Sequence, residues 1–192
     1  DAWVMVDLGI TFANGTLPGI DVIMPDPGFI VERRDDLLGL VLTHAHEDHI
    51  GAVPYLWERL RCPVYGTRFT LEILKRKLDE AGLGGEVPLV EVPRGGEITL
   101  GPFHFTYVSI THSIPESNAL AIRTPLGTVL HTGDFKIDPE PLLGPLTDRE
   151  RLMALGDAGV LAMVGDSTNV FVPGTSGSEG SVRTSLEDLM DQ

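Results

Sequence analysis

The sequence contains a single cysteine, Cys62, so a disulfide bond within the chain is excluded. It has no apolar run long enough to cross a membrane, and its N-terminus lacks the charged and then apolar pattern of a secretory signal. Structural disulfides are rare in the cytosol, so these absences are consistent with a cytoplasmic protein that has no membrane partner. Cys62 precedes a proline in an apolar context and is expected to be buried.

Basic residues are also scarce. The chain has 14 lysines and arginines against 28 aspartates and glutamates, which gives a formal net charge of −14. Such a surface repels polyanions, so any nucleic-acid binding requires a local basic groove or a partner domain that supplies one. The length of 192 residues and the hydrophobic content of 42% predict one globular domain with a substantial core.

Three common catalytic patterns are absent or incomplete. The sequence contains no G-x-x-x-x-G-K-[ST] phosphate-binding loop, and residues 174–178 miss the G-x-S-x-G pattern of serine hydrolases at their last position. His46 and His49 are three residues apart, whereas the zinc-protease pattern H-E-x-x-H needs a spacing of four. The sequence therefore gives no support for a phosphate-loop enzyme, a serine hydrolase or an H-E-x-x-H zinc protease.

The most informative stretch is His44-Ala45-His46-Glu47-Asp48-His49, which holds three of the six histidines. It follows residues 40–42, which predict a short buried strand, and it precedes a helical pattern. Imidazole nitrogens and carboxylate oxygens are ligands that zinc prefers. The first two histidines can face one side of an extended segment, whereas Asp48 and His49 follow the turn and can face a second point. The pattern therefore predicts a metal site, in outline one for two ions.

Five apolar runs each end at an acidic residue or a histidine, and these residues are Asp7, His44, His112, Asp134 and Asp166. In a layered α/β fold, residues that follow the strands collect at one edge of the sheets, where active sites commonly form. An aspartate after a strand is also an ordinary turn residue, and for Asp166 this alternative stays open. The joint pattern nevertheless favours one shared site.

Other elements follow from periodicity and from turn residues. Helical spacing predicts helices over residues 49–60 and 67–81, the second with Thr67 as N-cap. A hairpin is predicted over residues 119–131 and a buried strand over residues 160–164. Capping-box patterns predict two later helices, which begin near Thr147 and Ser176, and the last is expected to be cut off at Gln192.

Together these motifs resemble the metallo-β-lactamase superfamily, whose fold is an αββα sandwich with a dinuclear metal site at its edge. Asp7, residues 44–49, His112 and Asp134 match its first four motifs in order and approximate spacing. Within the superfamily, the sequence is most similar to the β-CASP nucleases of the ribonuclease J family. That narrower resemblance is carried by Thr111-His112-Ser113-Ile114-Pro115-Glu116-Ser117, by His131-Thr132-Gly133-Asp134-Phe135-Lys136, and by Gly165-Asp166-Ser167-Thr168-Asn169.

The resemblance implies two zinc ions and a role for each matching residue. One ion would be held by His44, His46 and His112, the other by Asp48 and His49, and Asp134 would bridge them. Asp7 would support a ligand, and Asp166 would assist a histidine that acts as general acid, so that Asp48, Asp134 and Asp166 are the expected catalytic residues.

Two further histidines need separate interpretation. His131 directly precedes the Asp134 turn and is expected to be a hydrogen-bonded supporting residue, with a direct ligand role as the alternative. His104 alternates with apolar neighbours in a predicted strand and is expected to be structural.

The resemblance also implies a domain arrangement. Residues 1–172 correspond to the N-terminal portion of the metallo-β-lactamase domain without its first strand, and residues 173–192 correspond to the start of the β-CASP region. The chain begins at Asp1 without a methionine, so we expect a fragment. In it the second metal would lack one protein ligand, and the RNA-binding surface would be absent.

The implied function is that of a zinc-dependent ribonuclease that hydrolyses RNA phosphodiester bonds as a 5′-3′ exonuclease, an endonuclease or both. Its full-length form is expected to be a homo-oligomer with RNA as partner. Two other interpretations stay open. One is a small-molecule hydrolase of the same fold, such as a thioesterase or lactonase, and the other is a fragment that binds metal without catalysis.

Overall fold

The computed structural model of the chain describes residues 1–13, 15 and 17–191. Its strands are β1 (Trp3–Val6), β2 (Thr11–Phe12), β3 (Val22–Ile23), β4 (Leu37–Val41), β5 (Val64–Gly66), β6 (Leu89–Glu91), β7 (Glu97–Leu100), β8 (Phe103–Ser109), β9 (Asn118–Thr124), β10 (Gly127–His131) and β11 (Ala162–Val164). Its helices are α1 (Gly28–Val31), α2 (Glu47–Ile50), α3 (Val53–Leu60), α4 (Arg68–Glu80), α5 (Arg149–Ala158) and α6 (Glu179–Met190), with a 3₁₀ helix at Arg34–Asp36.

The strands form two main sheets. The first sheet is parallel, with the strand order β1-β4-β5-β6. The second has the order β11-β10-β9-β8-β7 and is antiparallel except for the pair of β10 and β11. The predicted hairpin over residues 119–131 is confirmed as the pair of β9 and β10.

Alternating side chains on β4 place the two sheets between layers of helices. Leu40 and Leu42 pack in one cluster with the apolar sides of α3 and α4. Val41 lies between them in sequence and packs instead with Phe105 and Tyr107 of the second sheet. A third cluster joins the second sheet to α5. The order of helix, sheet, sheet and helix confirms the predicted αββα sandwich. Cys62 is buried as expected, and this burial raises the pKa of its thiol to about 11.

The helix predicted over residues 49–60 is interrupted. α2 ends at Ile50, and α3 begins at Val53 with Pro54 in its first turn. A proline has no N–H group to donate to the carbonyl of the preceding turn, so a continuous helix through this position is disfavoured. The break separates α2, which carries Asp48 and His49 of the metal motif, from the packed helix α3.

Two predicted helix starts are displaced. α5 is capped by Asp148, whose carboxylate accepts the N–H of Arg151 at 3.0 Å. Thr147 is used elsewhere, since its hydroxyl oxygen accepts the N–H of Thr111 at 2.9 Å. α6 is capped by Ser178 and not by Ser176. Thr67 does occupy the N-cap position of α4, but its side chain makes no cap hydrogen bond.

The end of the described chain is more exposed than the sequence predicts. β11 lies at the edge of the second sheet, beside β10, and all three of its residues are exposed rather than buried. α6 has no buried residue, and Glu179 in its first turn donates its N–H to the Asp138 carboxylate at 2.8 Å. Gln192, the expected cut-off, lies outside the described residues. None of the helices described here has the length and apolar character that a bilayer-crossing helix needs.

Candidate metal centre

Strand ends from both sheets deliver the predicted site residues to one place. Asp7 follows β1 and residues 44–49 follow β4 in the first sheet, whereas His112 follows β8 and Asp134 follows β10 in the second. His46 is the extended N-cap of α2, with φ −71° and ψ 156°, so the chain turns between the first two histidines of the motif and the last. This turn allows residues close in sequence to contribute to two adjacent groups.

The first group consists of His44, His46 and His112. His46 Nδ1 lies 3.1 Å from His44 Nε2 and also 3.1 Å from His112 Nε2. A single ring nitrogen has at most one proton and cannot donate to both neighbours, whereas three lone pairs directed at one point suit a cation. Nitrogens bound tetrahedrally to zinc at ~2.0–2.1 Å lie about 3.3 Å apart. The observed spacing therefore fits a divalent ion with little adjustment.

The second group consists of His44, His49 and Asp134, whose ligand atoms lie within 4.8 Å of one another. The two oxygens of Asp134 face different histidines, with Oδ1 3.3 Å from His49 Nε2 and Oδ2 3.9 Å from His112 Nε2. Asp48 adjoins this group, since its Oδ2 lies 3.6 Å from His49 Nε2, and its side chain is 62% exposed. Asp134 thus lies between two sets of potential ligands.

Asp7 and Thr43 orient two of the rings from behind. Asp7 Oδ2 accepts the hydroxyl of Thr43 at 2.8 Å and lies 2.7 Å from His49 Nδ1, which donates to it. The one hydroxyl proton of Thr43 goes to the carboxylate, so Thr43 Oγ1 accepts from His44 Nδ1 at 2.9 Å. With Nδ1 engaged in this way, Nε2 of each ring faces the site and offers its lone pair to a cation when the imidazole is neutral.

Thr43 was not among the residues predicted from the sequence. Its hydroxyl links Asp7 to His44, because it donates to the Asp7 carboxylate and accepts from His44 Nδ1. Its backbone N–H donates to Asp7 Oδ1 at 2.8 Å. The available sequence signal is a hydroxyl residue placed directly before the first histidine of the motif, at the end of a buried strand.

The protonation preferences of the histidines differ between the groups. Burial, reinforced by the neighbouring histidines, lowers the pKa of His44 to about 2, and burial with His46 lowers the pKa of His112 as well. Burial also opposes protonation of His49, but the hydrogen bond and charge of Asp7 raise its pKa to about 8. Neutral imidazole is the metal-binding form, so at neutral pH a cation must displace a proton from His49, whereas His44 is already neutral.

Asp166 lies beside the centre and belongs to neither group. Its Oδ1 accepts the N–H of Thr168 at 2.8 Å, and its Oδ2 accepts the N–H of Phe135 at 3.5 Å. Burial favours the neutral form, but these N–H groups outweigh it and hold the pKa of the carboxyl below its usual value. The contacts of a turn-capping aspartate are therefore present, and the same residue lines a cleft next to His112 and Asp134.

His131 and His104 also lie outside both groups. His131 Nδ1 accepts the N–H of Gly133 at 3.1 Å, so it contacts the turn that carries Asp134, and burial lowers its pKa. His104, at the start of β8, lies 2.9 Å from Thr99 Oγ1 and 3.2 Å from Glu97 Oε2.

Two surface clefts adjoin the centre. One of about 590 Å³ is lined by His112, Asp134, Asp166 and residues 172–176. The other, of about 450 Å³, is lined by His49, His131 and mostly apolar residues around β1 and α1. The larger cleft brings a bound molecule directly against potential ligands of both groups.

A family model described as the metallo-beta-lactamase superfamily matches residues 1–190. The chain belongs to this superfamily. Membership implies a divalent metal, and the convergent histidine nitrogens with the Asp134 carboxylate supply the donor set that such an ion requires.

Among curated relatives, this superfamily member is similar to ribonuclease J of Sinorhizobium meliloti, with 48% identity over 188 residues that cover 98% of the chain and 33% of the relative. It is 40% identical to ribonuclease J of Helicobacter pylori over 190 residues, which cover 98% of the chain and 28% of the relative. The chain thus spans about a third of the length of the curated relatives that it matches.

Solved structures share the fold at lower identity. A protein of unknown function from Enterococcus faecalis superposes with a TM-score of 0.61 at 18% identity, covering 97% of this chain and 52% of that one. The metallo-beta-lactamase fold protein YhfI from Bacillus subtilis gives a TM-score of 0.53 at 19% identity, covering 72% of this chain and 53% of that one. These likenesses concern the fold alone.

Proposed function

We propose that the chain is the metal-binding part of a zinc-dependent ribonuclease that hydrolyses RNA phosphodiester bonds. The observation that carries the proposal is the position of Asp134, with one carboxylate oxygen toward His49 and the other toward His112, between two sets of potential ligands. The similarity to ribonucleases J over 98% of the chain supports RNA as the substrate.

Each site residue has a role in this proposal. His44, His46 and His112 would hold one ion, Asp48 and His49 would hold the second, and Asp134 would contribute to both. The contacts of Asp7 with His49 and Thr43 support its role in orienting ligands, and the contact of His131 with Gly133 supports a role in holding the Asp134 turn.

The bound ions would lower the pKa of a water molecule and offset the negative charge that develops on the phosphate in the transition state. The protein groups do the positioning. Asp7 and Thr43 hold the rings of His49 and His44 through Nδ1, so that Nε2 of each ring faces the site, and the cleft of about 590 Å³ has room for a nucleotide beside Asp134.

Asp166 acts at the leaving-group side in this proposal. Its lowered pKa supports an ionised carboxylate at neutral pH, which can orient a histidine that protonates the departing oxygen. General acid–base contributions of this kind are typically worth about a hundred- to ten-thousand-fold in rate.

The domain arrangement belongs to the same proposal. Residues 1–172 form part of the metallo-β-lactamase domain, and residues 173–192 begin a β-CASP region that supplies the RNA-binding surface. The helix α6 is exposed and is attached to Asp138 and Glu140 through its first turn. This exposure supports a domain boundary shortly before α6. Exonuclease or endonuclease activity, a cytoplasmic location and assembly into homo-oligomers complete the proposal.

The test is a side-by-side assay of the 192-residue chain and of the chain joined to its proposed β-CASP continuation, on 5′-monophosphorylated RNA labelled at either end. We expect zinc-dependent cleavage by the longer protein, loss of cleavage in His46→Ala, and negligible cleavage by the shorter chain. Label release at the 5′ end separates exonuclease from endonuclease action. Turnover of thioesters or lactones without RNA cleavage would overturn the proposal and favour a small-molecule hydrolase.

A further inference from the structure

His112 reaches the first ligand group from a loop of the second sheet. Its Nε2 lies 3.1 Å from His46 Nδ1, whereas the other two members of the group come from the first sheet. His44 and His49 are oriented through Nδ1 by Thr43 and Asp7, but His112 Nδ1 has no hydrogen-bond partner within the described residues. The position of this ring therefore depends on how the loop itself is held.

Glu116 attaches that loop to α4, which flanks the first sheet. Its Oε2 accepts the backbone N–H of Phe69 at 3.0 Å, although the two residues are 47 apart in sequence. Phe69 lies in the first turn of α4, where N–H groups have no partner within the helix, and Thr67 makes no cap hydrogen bond there. A carboxylate is favoured at this end of a helix, so Glu116 takes the place of the missing cap.

The backbone of Glu116 adopts an unusual conformation that shapes the turn after His112. Its φ of 58° lies in the left-handed region, which residues other than glycine rarely adopt. In this turn its carbonyl oxygen accepts Asn118 Nδ2 at 2.6 Å, and the backbone N–H of Asn118 donates to the carbonyl of Thr43 at 3.2 Å. Thr43 directly precedes His44. The turn thus connects the His112 loop to the strand end that carries the first ligand.

We infer that Glu116 is a positioning residue whose carboxylate, anchored on α4, holds His112 at the distance from His46 that completes the three-histidine group. Glu116 belongs to neither ligand group, so it acts through His112. A second anchor of the loop is Ile114, which packs against the core beneath the first sheet. Apolar packing is non-directional, so the hydrogen bond from Phe69 to Glu116 is what fixes the orientation of the loop. This inference rests on the metal site proposed above.

The test measures Co²⁺ binding to the metal-free chain by its visible absorption, which reports coordination geometry, in four variants. Glu116→Ala removes the anchor, and Glu116→Asp keeps the charge but is one methylene too short to reach Phe69. Glu116→Gln keeps an oxygen acceptor. Asp148→Ala is the matched control, because Asp148 also caps a helix through a backbone N–H, but on α5.

We expect Glu116→Ala and Glu116→Asp to weaken Co²⁺ affinity about tenfold or more and to alter the absorption spectrum, as removal of an outer contact typically does. Glu116→Gln should stay close to the wild type, and Asp148→Ala should lose thermal stability without a change in affinity or spectrum. Wild-type binding by Glu116→Asp, or equal losses in Glu116→Ala and Asp148→Ala, would overturn the inference alone. Absence of Co²⁺ binding by the wild-type chain would overturn the metal site itself, and the inference with it.

Discussion

At the scale of residues, Asp134 presents one carboxylate oxygen to each side of the centre, toward His49 at 3.3 Å and toward His112 at 3.9 Å. An amide at this position has one oxygen and no charge, so it cannot serve two cations. We therefore expect Asp134→Asn to weaken both of the proposed metal sites, which a two-step Zn²⁺ titration by calorimetry would measure. Normal binding in both steps would make Asp134 an ordinary turn residue, and Asp166→Asn serves as a neighbouring control.

The contact of Asp7 with His49 predicts a pH dependence of the metal-free chain. The pKa of His49 is raised from 6.5 to about 8, so its contribution is fully present below pH 6.5 and is lost as pH rises through 8. The free energy of unfolding should fall by about 1–2 kcal/mol across that window. The pKa values of His44, His112 and His131 are lowered, so these residues reduce the free energy of unfolding only as pH falls below 6.5.

Urea unfolding at a series of pH values between 6 and 9 would measure this slope. Asp7→Asn should flatten it, because the partner that favours the charged imidazole is removed. Glu97→Gln is the matched control, since it removes a carboxylate that lies 3.2 Å from the more exposed His104. An unchanged slope in Asp7→Asn would show that the pair does not set the protonation of His49.

The convergence of His44, His46 and His112 could be predicted from the sequence, because H-x-H is a local pattern and strand ends share a sheet edge. The contributions of Thr43 and Glu116 could not. Thr43 contacts Asp7 across 36 residues, which depends on the pairing of β1 with β4. Glu116 contacts α4 across 47 residues, which depends on how the two sheets pack. Such contacts leave no spacing signal in a single sequence.

At the scale of elements, the segment after β1 holds α2 in place. Leu8 donates its N–H to the His49 carbonyl at 2.7 Å, and Ile10 donates to the Glu47 carbonyl at 3.0 Å. Gly9 lies between them so close to α2 that a Cβ atom would overlap the backbone carbonyl of Asp48. Any side chain at Gly9 must therefore displace the turn that carries Asp48 and His49.

We expect Gly9→Ala to lower the melting temperature and to weaken the second metal site more than the first. Gly156→Ala is the matched control, because no atom lies within 4 Å of the added Cβ and the position is inside α5. Alanine there should raise stability by about 0.5–1 kcal/mol. Calorimetric melting measures the change in stability, and Zn²⁺ titration measures the change in affinity. Equal changes in Gly9→Ala and Gly156→Ala would refute the role assigned to the close packing of Gly9 against Asp48.

Element boundaries were harder to predict than element types. The strands around the site occur where apolar runs indicate them, but α2 and α3 are separate because Pro54 lies in the first turn of α3. α5 is capped by Asp148 rather than by Thr147, because the Thr147 hydroxyl is engaged by the Thr111 N–H in the loop that leads to His112. In these cases a tertiary contact or a proline outweighs the local pattern.

At the scale of the whole molecule, the net charge of −14 opposes contact with a polyanion. We expect the 192-residue chain to bind single-stranded RNA more weakly than the ~1–100 µM range typical of non-specific binding at physiological salt. Fluorescence anisotropy with a labelled oligonucleotide at two salt concentrations measures this. Tight binding that falls steeply with salt would reveal a basic groove on this chain and contradict the assignment of RNA binding to the β-CASP region.

The central claim, that the clustered histidines hold a divalent ion, is tested most directly by metal analysis of the dialysed chain, followed by diffraction at the zinc absorption edge. We predict one tightly retained zinc within about 2.0–2.1 Å of His44 Nε2, His46 Nδ1 and His112 Nε2. A second ion should be weakly held, because its proposed ligands among the described residues are His49, Asp134 and the largely exposed Asp48. No retained zinc, two equally retained ions, or an ion bound instead at His104 and Glu97 would contradict the account.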